Sequence, residues 1–545
     1  MPSRGTCAVR PPYASTASDM APYLDARTEA MPSRLSARTC IIGAGPAGLT
    51  LALQLAERGD DVLLVEAGSF ELEGATQALY VGRNIGLNYY DLAACRLRYF
   101  GGTSNHWGGY CRPNDTIDYE GRPELGIPAW PIGKADLDPY VLAASKIVDI
   151  DLDVSMDIER TARRLGGTAQ DLIERETDRL ETKTFFLSQH LRFGRFLREM
   201  VRESANLRCV LNLNAVRLEK KEGIDAVAAV EAATTTGRRI RIEAQRFVLA
   251  AHAIENAKLL MQSTSFGEAG CGNRFDHVGR YFMEHAHLFA SRMVPSARFP
   301  HIYDAQFGRV KGLNVNLGLS ARGMRETGAL SYYCRFNPYY SQGAETEGAL
   351  TLLEKDALEP LSLDYVDALG TVLLDLPGAT RKSVAKLSRS LAIAHPRYFT
   401  LEHRIEQAPN PSSRVVLSDR EDGIGGRHAN LDWQLSEIDV RTYHAGQEMV
   451  VNELSALGMG RFQVEDIDIA IARERSKGHY HHIGTTRMAA NAREGVVDKD
   501  LKVFDVANLY VCGSSVFTTA GYSGPTMMIV ALSLRLADAL EPHPR

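Results

Sequence analysis

TCIIGAGPAGLTLALQLAERGDDVLLVE, residues 39–66, is the stretch that decides the fold. Thr39–Ile42 is a short apolar run, and Leu49–Arg58 alternates apolar and polar residues with helical spacing. Gly59 ends that helix, and Asp61–Val65 is a second apolar run closing on Glu66. Strand, glycine turn, helix and strand together predict the βαβ unit of a dinucleotide-binding fold. Gly43 allows the tight turn, Gly45 lets backbone approach a pyrophosphate, and Gly48 permits close helix–strand packing. Pro46 and Ala47 open the helix, whose unpaired N–H groups suit phosphates. Glu66, about 20 residues beyond the first glycine, is placed to accept ribose hydroxyls and to disfavour a 2′-phosphate, with Ala67 beside it.

A second set of segments extends this sheet. Arg246–Ala251 reads as a strand, followed by a helix over Ile254–Ser263. Asn508–Gly513 reads as a buried strand, followed by a long apolar-faced helix over Pro525–Leu540. Strands that return to the first sheet from so far along the chain suit FAD, whose ring system reaches well beyond the nucleotide fold.

The bulk numbers set the class. A chain of 545 residues, 45% hydrophobic and 24% charged, has the composition of an ordinary folded protein with more than one substructure. Its net charge of −5 repels phosphate, so neither a nucleic-acid partner nor a membrane is expected. The eight cysteines are scattered without a Cys-x-x-Cys pair, which fits neither a zinc knuckle nor a dense disulfide framework. Cys40 and Cys512 fall in apparent buried strands, so a reducing, cytoplasmic setting is expected. Residues 1–36 are rich in Ser, Ala, Pro and Arg and lack an apolar signal core, and Met1-Pro-Ser-Arg recurs at Met31. A flexible extension, or a start at Met31, accounts for this, and no apolar run is long enough to span a bilayer.

Three histidines crowd His479-Tyr480-His481-His482, just before Gly484-Thr485. Imidazole, with an unperturbed pKa near neutrality, is a natural general base for taking a hydroxyl proton. On an extended segment His479 and His481 share one face and His482 points to the other. No acidic or cysteine ligands cluster beside them in sequence, so no metal is expected.

With these motifs in order, the sequence resembles the glucose–methanol–choline (GMC) family of FAD oxidoreductases. The match is stronger toward its pyranose oxidase and bacterial sugar dehydrogenase branch. The blocks that carry it are Gly43–Gly48 with Glu66, GGTSNHWGG at 101–109, Val248–Ser263, EQAPNPSSRVVLS at 406–418, and His481–Met488 with Asn508–Leu540. Trp130-Pro131-Ile132 and VGRYFMEH at 278–285 add support. The resemblance implies an α/β fold, a doubly wound Rossmann-type FAD-binding domain with an antiparallel-sheet substrate domain. It divides the chain into a 1–36 extension, a 37–285 FAD-binding part with a flavin-covering loop at 96–120, a 286–405 substrate domain with a helical insertion at 350–395, a 406–470 return, and a 471–545 completion carrying the catalytic histidine.

The resemblance also implies roles. Gly101, Gly102, Thr103, Asn105, His106, Trp107, Gly108 and Gly109 lie along the flavin, where glycine backbone can approach closely. Val216, Ala251, Gly513, Ser514, Pro525 and Thr526 complete the cofactor contacts. His106 takes the place of a histidine that pyranose oxidases bond covalently to FAD. Two readings stand, a covalent link or a hydrogen-bonded neighbour, with non-covalent FAD the expectation. The pattern H-x-x-G-T selects His481 as the base. Relatives usually carry Asn or His before Pro-Thr; here that place is Gly524, so Ser523, Tyr522 or His482 substitutes, or a larger substrate fills the room. The reaction implied is oxidation of a secondary alcohol of a sugar, glycoside or polyol to a ketone, with O2 or a redox mediator as electron acceptor. The alternative is another reaction, a lyase step or dehydrogenation, on a bulky natural product. A homo-oligomer is compatible with both.

Overall fold

The computed structural model describes residues 23–339 and 396–540, apart from 153–156, 189, 191 and 311. Its first sheet runs in the order β1 (Tyr23–Asp25), β6 (Leu207–Leu211), β3 (Val62–Val65), β2 (Arg34–Ile42), β9 (Arg239–Leu249), β8 (Val227–Ala233) and β7 (Asn214–Lys220), with β18 (Leu509–Val511) also on β9. From β1 through β2 to β9 and on to β18 every pairing is parallel, and β8 and β7 add an antiparallel edge. Helices cover such a sheet, so its middle strands are buried on both faces. That is why Val62–Val65 reads as an unbroken apolar run and is buried throughout.

Helix α1 (Pro46–Glu57) follows β2 with Gly45 as its N-cap and Pro46 at its first turn, and Gly59 leaves it at φ +83°. Both ends follow the usual asymmetry of proline at the start and left-handed glycine just past the end. Helix α4 (Ala253–Gln262) follows β9, and α6 (Thr526–Ala539) packs on α1 and on α2 (Lys134–Ile147).

The second sheet is antiparallel, in the order β16 (Gly460–Gln463), β10 (His287–Pro295), β13 (Tyr398–Ile405), β12 (Tyr332–Tyr339), β11 (Leu313–Leu319), β5 (Leu180–Leu187) and β4 (Tyr110–Cys111), with β17 (Ser476–Lys477) also on β10. A separate hairpin joins β14 (Arg414–Glu421) to β15 (Arg427–Asp432). Helices α3 (Phe193–Glu203) and α5 (Glu437–Ala456) complete the framework. Among the described residues no helix is long and apolar enough to cross a membrane.

The domain boundaries differ from those expected. Tyr23–Asp25 pairs with β6 and β2 starts at Arg34, so the first sheet begins ahead of residue 37. The second sheet takes β4 and β5 from the interval assigned to FAD binding, and β16 and β17 from beyond residue 405. Pairing between strands so far apart in the chain leaves no local trace. The insertion expected at 350–395 lies outside the described residues. Cys40, Cys95, Cys111, Cys209, Cys271, Cys334 and Cys512 are all buried free thiols.

Candidate active site

The glycine turn after β2 behaves as its chemistry requires. Gly43 sits at φ +106°, where a Cβ would also lie 2.5 Å from the Ala250 carbonyl oxygen. A Cβ on Gly48 would lie 1.8 Å from the Gly43 oxygen, so only glycine lets α1 approach the turn. At Gly45 a Cβ would meet nothing within 4 Å, and the residue lines a cavity of about 550 Å³. Glu66, at the end of β3, accepts the Ala44 N–H at 2.8 Å and the Gly68 N–H at 2.9 Å, and burial raises its carboxyl pKa. The carboxylate thus braces the glycine turn as well as facing the cavity.

This cavity runs from the glycine turn to the C-terminal histidines. Gly43, Gly45, Pro46, Ala47, Glu66, Ala67, Gly102, Thr103, His106, Trp107, Gly108, Gly109, Ala251, His481, Gly513, Ser514, Gly524, Pro525 and Thr526 all line it. His479, His482 and Tyr522 line it too, whereas Gly48, Gly101, Asn105, Val216 and Ser523 do not. Gly48 and Gly101 are packed against backbone, and Asn105 braces its loop through the Phe100 carbonyl and the Gly194 N–H. The Val216 side chain joins a small apolar cluster with Leu79, Ala233 and Ile424. Ser523 turns its hydroxyl to the Pro113 carbonyl at 3.4 Å, away from the lining. His106 stands at the exposed rim with its Nε2 3.0 Å from the Tyr99 hydroxyl.

Two histidine chains meet at the far end. His285 Nε2 lies 3.0 Å from the Gly521 carbonyl and 3.2 Å from the Ala520 carbonyl, and its Nδ1 lies 2.7 Å from His481 Nδ1. Carbonyls only accept, so His285 must carry its proton on Nε2, which leaves Nδ1 a lone pair. His481 Nδ1 therefore donates, and His481 Nε2 is left unprotonated. Burial holds His285 down to about 4, and burial with His285 beside it holds His481 well below the ordinary imidazole value. Both shifts favour the neutral form of the rings.

The second chain turns the other way, as alternation along an extended segment requires. His252 Nδ1 accepts the Ile254 N–H at 3.4 Å, capping α4, and its Nε2 lies 2.8 Å from His482 Nδ1. His482 Nε2 lies 2.8 Å from the Tyr89 hydroxyl, which donates to Glu284. The same Glu284 carboxylate accepts the N–H groups of His285, His479 and His481. It clamps both sides of Tyr480, whose φ of +62° is unfavourable for a bulky side chain.

His479 lines the cavity near His287 and Glu402, a trio whose ligand atoms lie within 4.8 Å of one another. Glu402 Oε1 accepts Arg404 Nε at 2.7 Å, so the carboxylate already serves a guanidinium. Of the tyrosines on β12, Tyr333 lines the cavity, Tyr332 is buried with its hydroxyl 2.6 Å from His403 Nδ1, and Tyr339 stacks on Tyr398. Tyr340 lies outside the described residues. Arg414 reaches the Asp276 carboxylate at 3.3 Å. Sequence reasoning missed Glu284, His285, His252 and Tyr89 as parts of the site; the Met-Glu-His run at 283–285 was a visible signal for the first two alone.

Residues 409–533 match the family described as GMC oxidoreductase, and residues 36–80 match an FAD binding domain. Residues 409–533 thus carry a GMC oxidoreductase domain, and the two matches together liken the chain to the GMC-type FAD oxidoreductases. It is 23% identical to 2-methyl-1,2-propanediol dehydrogenase of Mycolicibacterium austroafricanum over 91% of this chain and 94% of that one. It is 24% identical to the fructose dehydrogenase large subunit of Gluconobacter japonicus over 55% of this chain, spanning 48% of that relative. Among solved structures, a formate oxidase superposes with a TM-score of 0.56 at 16% identity, covering 93% of this chain and 98% of that one. Pyridoxine 4-oxidase from Mesorbium loti gives 0.54 at 16% identity, covering 93% and 100%. FAD fits the cavity as found: Gly45 in its wall carries no side chain, the α1 N-terminus has no side-chain cap, and one continuous lining joins them to His481.

Proposed function

We propose that this protein oxidises a secondary alcohol of a sugar, glycoside or related polyol to the ketone, with His481 as the base. The observation that carries this reading is the His285–His481 contact, which leaves His481 Nε2 with its lone pair beside Gly524 at the cavity wall. Bound in the cavity, FAD supplies the hydride acceptor. His481 Nε2 takes the hydroxyl proton, and the charge it gains is met by the lone pair of His285 behind it. Glu284 fixes the main chain of the base, and His482, braced by His252 and Tyr89, keeps that segment from rotating. The names of the two enzyme relatives, one acting on a diol and one on a sugar, support the same class of reaction.

The contact predicts its own test. His285→Leu removes the acceptor that sets the His481 tautomer. Flavin reduction by substrate should slow roughly 10- to 100-fold, the worth of one hydrogen bond at a reacting group. FAD content should stay unchanged; equal rates for both proteins would show that the pairing is incidental.

Gly524 supplies room instead of a polar partner. A Cβ there would make ordinary contacts, 3.6 Å from the Tyr110 carbonyl oxygen and 3.7 Å from His481 Cε1. Gly524→Ala is therefore expected to leave stability within about 0.5 kcal/mol while raising KM for a substrate that uses this volume. A denaturation curve and steady-state kinetics on one preparation decide it. An unchanged KM would mean that the glycine serves no substrate bulk.

A further inference from the structure

Arg335 on β12 stands opposite Glu402 of β13 in the strand register. Opposite charges at that spacing ordinarily pair across strands. Here they do not, because Glu402 Oε1 accepts Arg404 Nε at 2.7 Å and Oε2 accepts Asn337 Nδ2 at 3.1 Å. Among the described residues the Arg335 guanidinium has no hydrogen-bond or ion-pair partner. Its Nε is buried and unsatisfied, and the residue lines the cavity together with Arg404, Tyr333 and His481. Burial, with Arg404 next to it, presses the guanidinium pKa down, as for a cation lacking compensation.

The charges at this end do not balance. Among the described residues Glu66 and Glu255 are the only carboxylates lining the cavity, and both belong to its glycine-turn end, where Glu255 is held by Arg96 and Arg98. Near the histidines, Lys183 and Arg112 are matched by Asp115 and Glu181, and Arg404 by Glu402. One positive charge remains, on Arg335. An unpaired guanidinium shielded from water is costly unless an anion completes it. Its planar fork matches a carboxylate through two parallel hydrogen bonds. A single surplus charge suits a monoanion better than a phosphate dianion.

We propose that the substrate carries a carboxylate received by Arg335, so that the alcohol oxidised at His481 belongs to a polyhydroxylated acid. The proposal rests on the reading of His481 as the base. Arg335 then sets specificity, holding one end of the substrate while His481 faces the hydroxyl.

The test uses the holoprotein, mixed anaerobically with matched compounds: an alditol, the aldonate of the same carbon skeleton, and the alditol phosphate. The wild type should bleach with the aldonate in clear preference to the other two. Arg335→Ala should lower that preference roughly 10- to 100-fold, the worth of one charge-assisted contact, chiefly through KM, with Arg335→Lys recovering part of it. Malonate, but not malonamide, should perturb the flavin absorbance of the wild type, which tests the anion site without turnover or a variant. Equal or greater bleaching by the alditol or its phosphate overturns the carboxylate proposal and leaves alcohol oxidation standing. Loss of all rates equally in Arg335→Ala reduces the residue to a structural one and also overturns it. Absence of bleaching across all three classes overturns the alcohol-oxidation reading, and this proposal with it.

Discussion

His481→Ala is expected to slow anaerobic flavin reduction by about 10²–10⁴-fold, the range for removing a positioned general base, while the purified protein stays yellow. The two readouts separate because His481 touches neither the glycine turn nor Glu66. The substitution leaves His285 Nδ1 without its donor, and the volume vacated by the His481 ring opens onto the cavity, where water can enter. Added imidazole should restore part of the rate, since the space vacated is that of the ring. Stopped-flow bleaching with the best substrate, alongside the visible spectrum after gel filtration, makes the measurement. An unchanged rate would sink the assignment of the base.

Glu284→Gln should be far more damaging than its isosteric shape suggests. The carboxylate is fully buried, with one oxygen accepting the Tyr89 O–H and the His481 N–H and the other accepting the N–H groups of His285, His479 and His481. An amide must turn its NH2 toward one of these sets, so a donor faces donors in either orientation. Burying such a mismatch costs about 2–4 kcal/mol. The strained backbone at Tyr480 then loses the clamp on one of its sides, and the histidine segment shifts. The expected outcome is a lower denaturation midpoint at an unchanged slope, with slower flavin reduction in the protein that remains folded. A midpoint within error of the wild type would show that Glu284 does not hold the site. Replacing the exposed Glu326 by Gln provides the comparison, since its partners Arg179 and Arg322 are themselves largely in water.

Much of the fold was legible because its signals are local. The βαβ unit needs particular residues at fixed offsets: Gly43 and Gly48 each meet a steric demand that a Cβ would violate, and Gly45 leaves the cavity wall free of a side chain. The helices after β9 and β18 announce themselves by period, and their ends fall within a residue or so of those expected. The second sheet was harder to see. Leu313–Leu319 alternates along its length, a local signal, but β4, β5, β16 and β17 join the sheet from distant parts of the chain through backbone hydrogen bonds that favour no residue type.

The site divides along the same line. Spacing to Gly484-Thr485 singled out His481 from its neighbours, and alternation gave His482 the opposite face. Ser523 looked able to replace the absent partner because it is polar and adjacent, yet the turn before α6 sends its hydroxyl to Pro113. Val216 missed the cavity because its strand points the side chain into a separate apolar cluster. The sequence by itself determined the cofactor cradle, since phosphate binding by backbone is written in glycines at fixed spacing. It also singled out His481 as the proposed base. Only the tertiary structure decided which nitrogen of that base is free, because the tautomer depends on carbonyls at 520 and 521 acting through His285, nearly two hundred residues from His481 in the chain. Likewise it alone decided that Arg335 is left unpaired, because that turns on which of two guanidiniums captures the single carboxylate of Glu402.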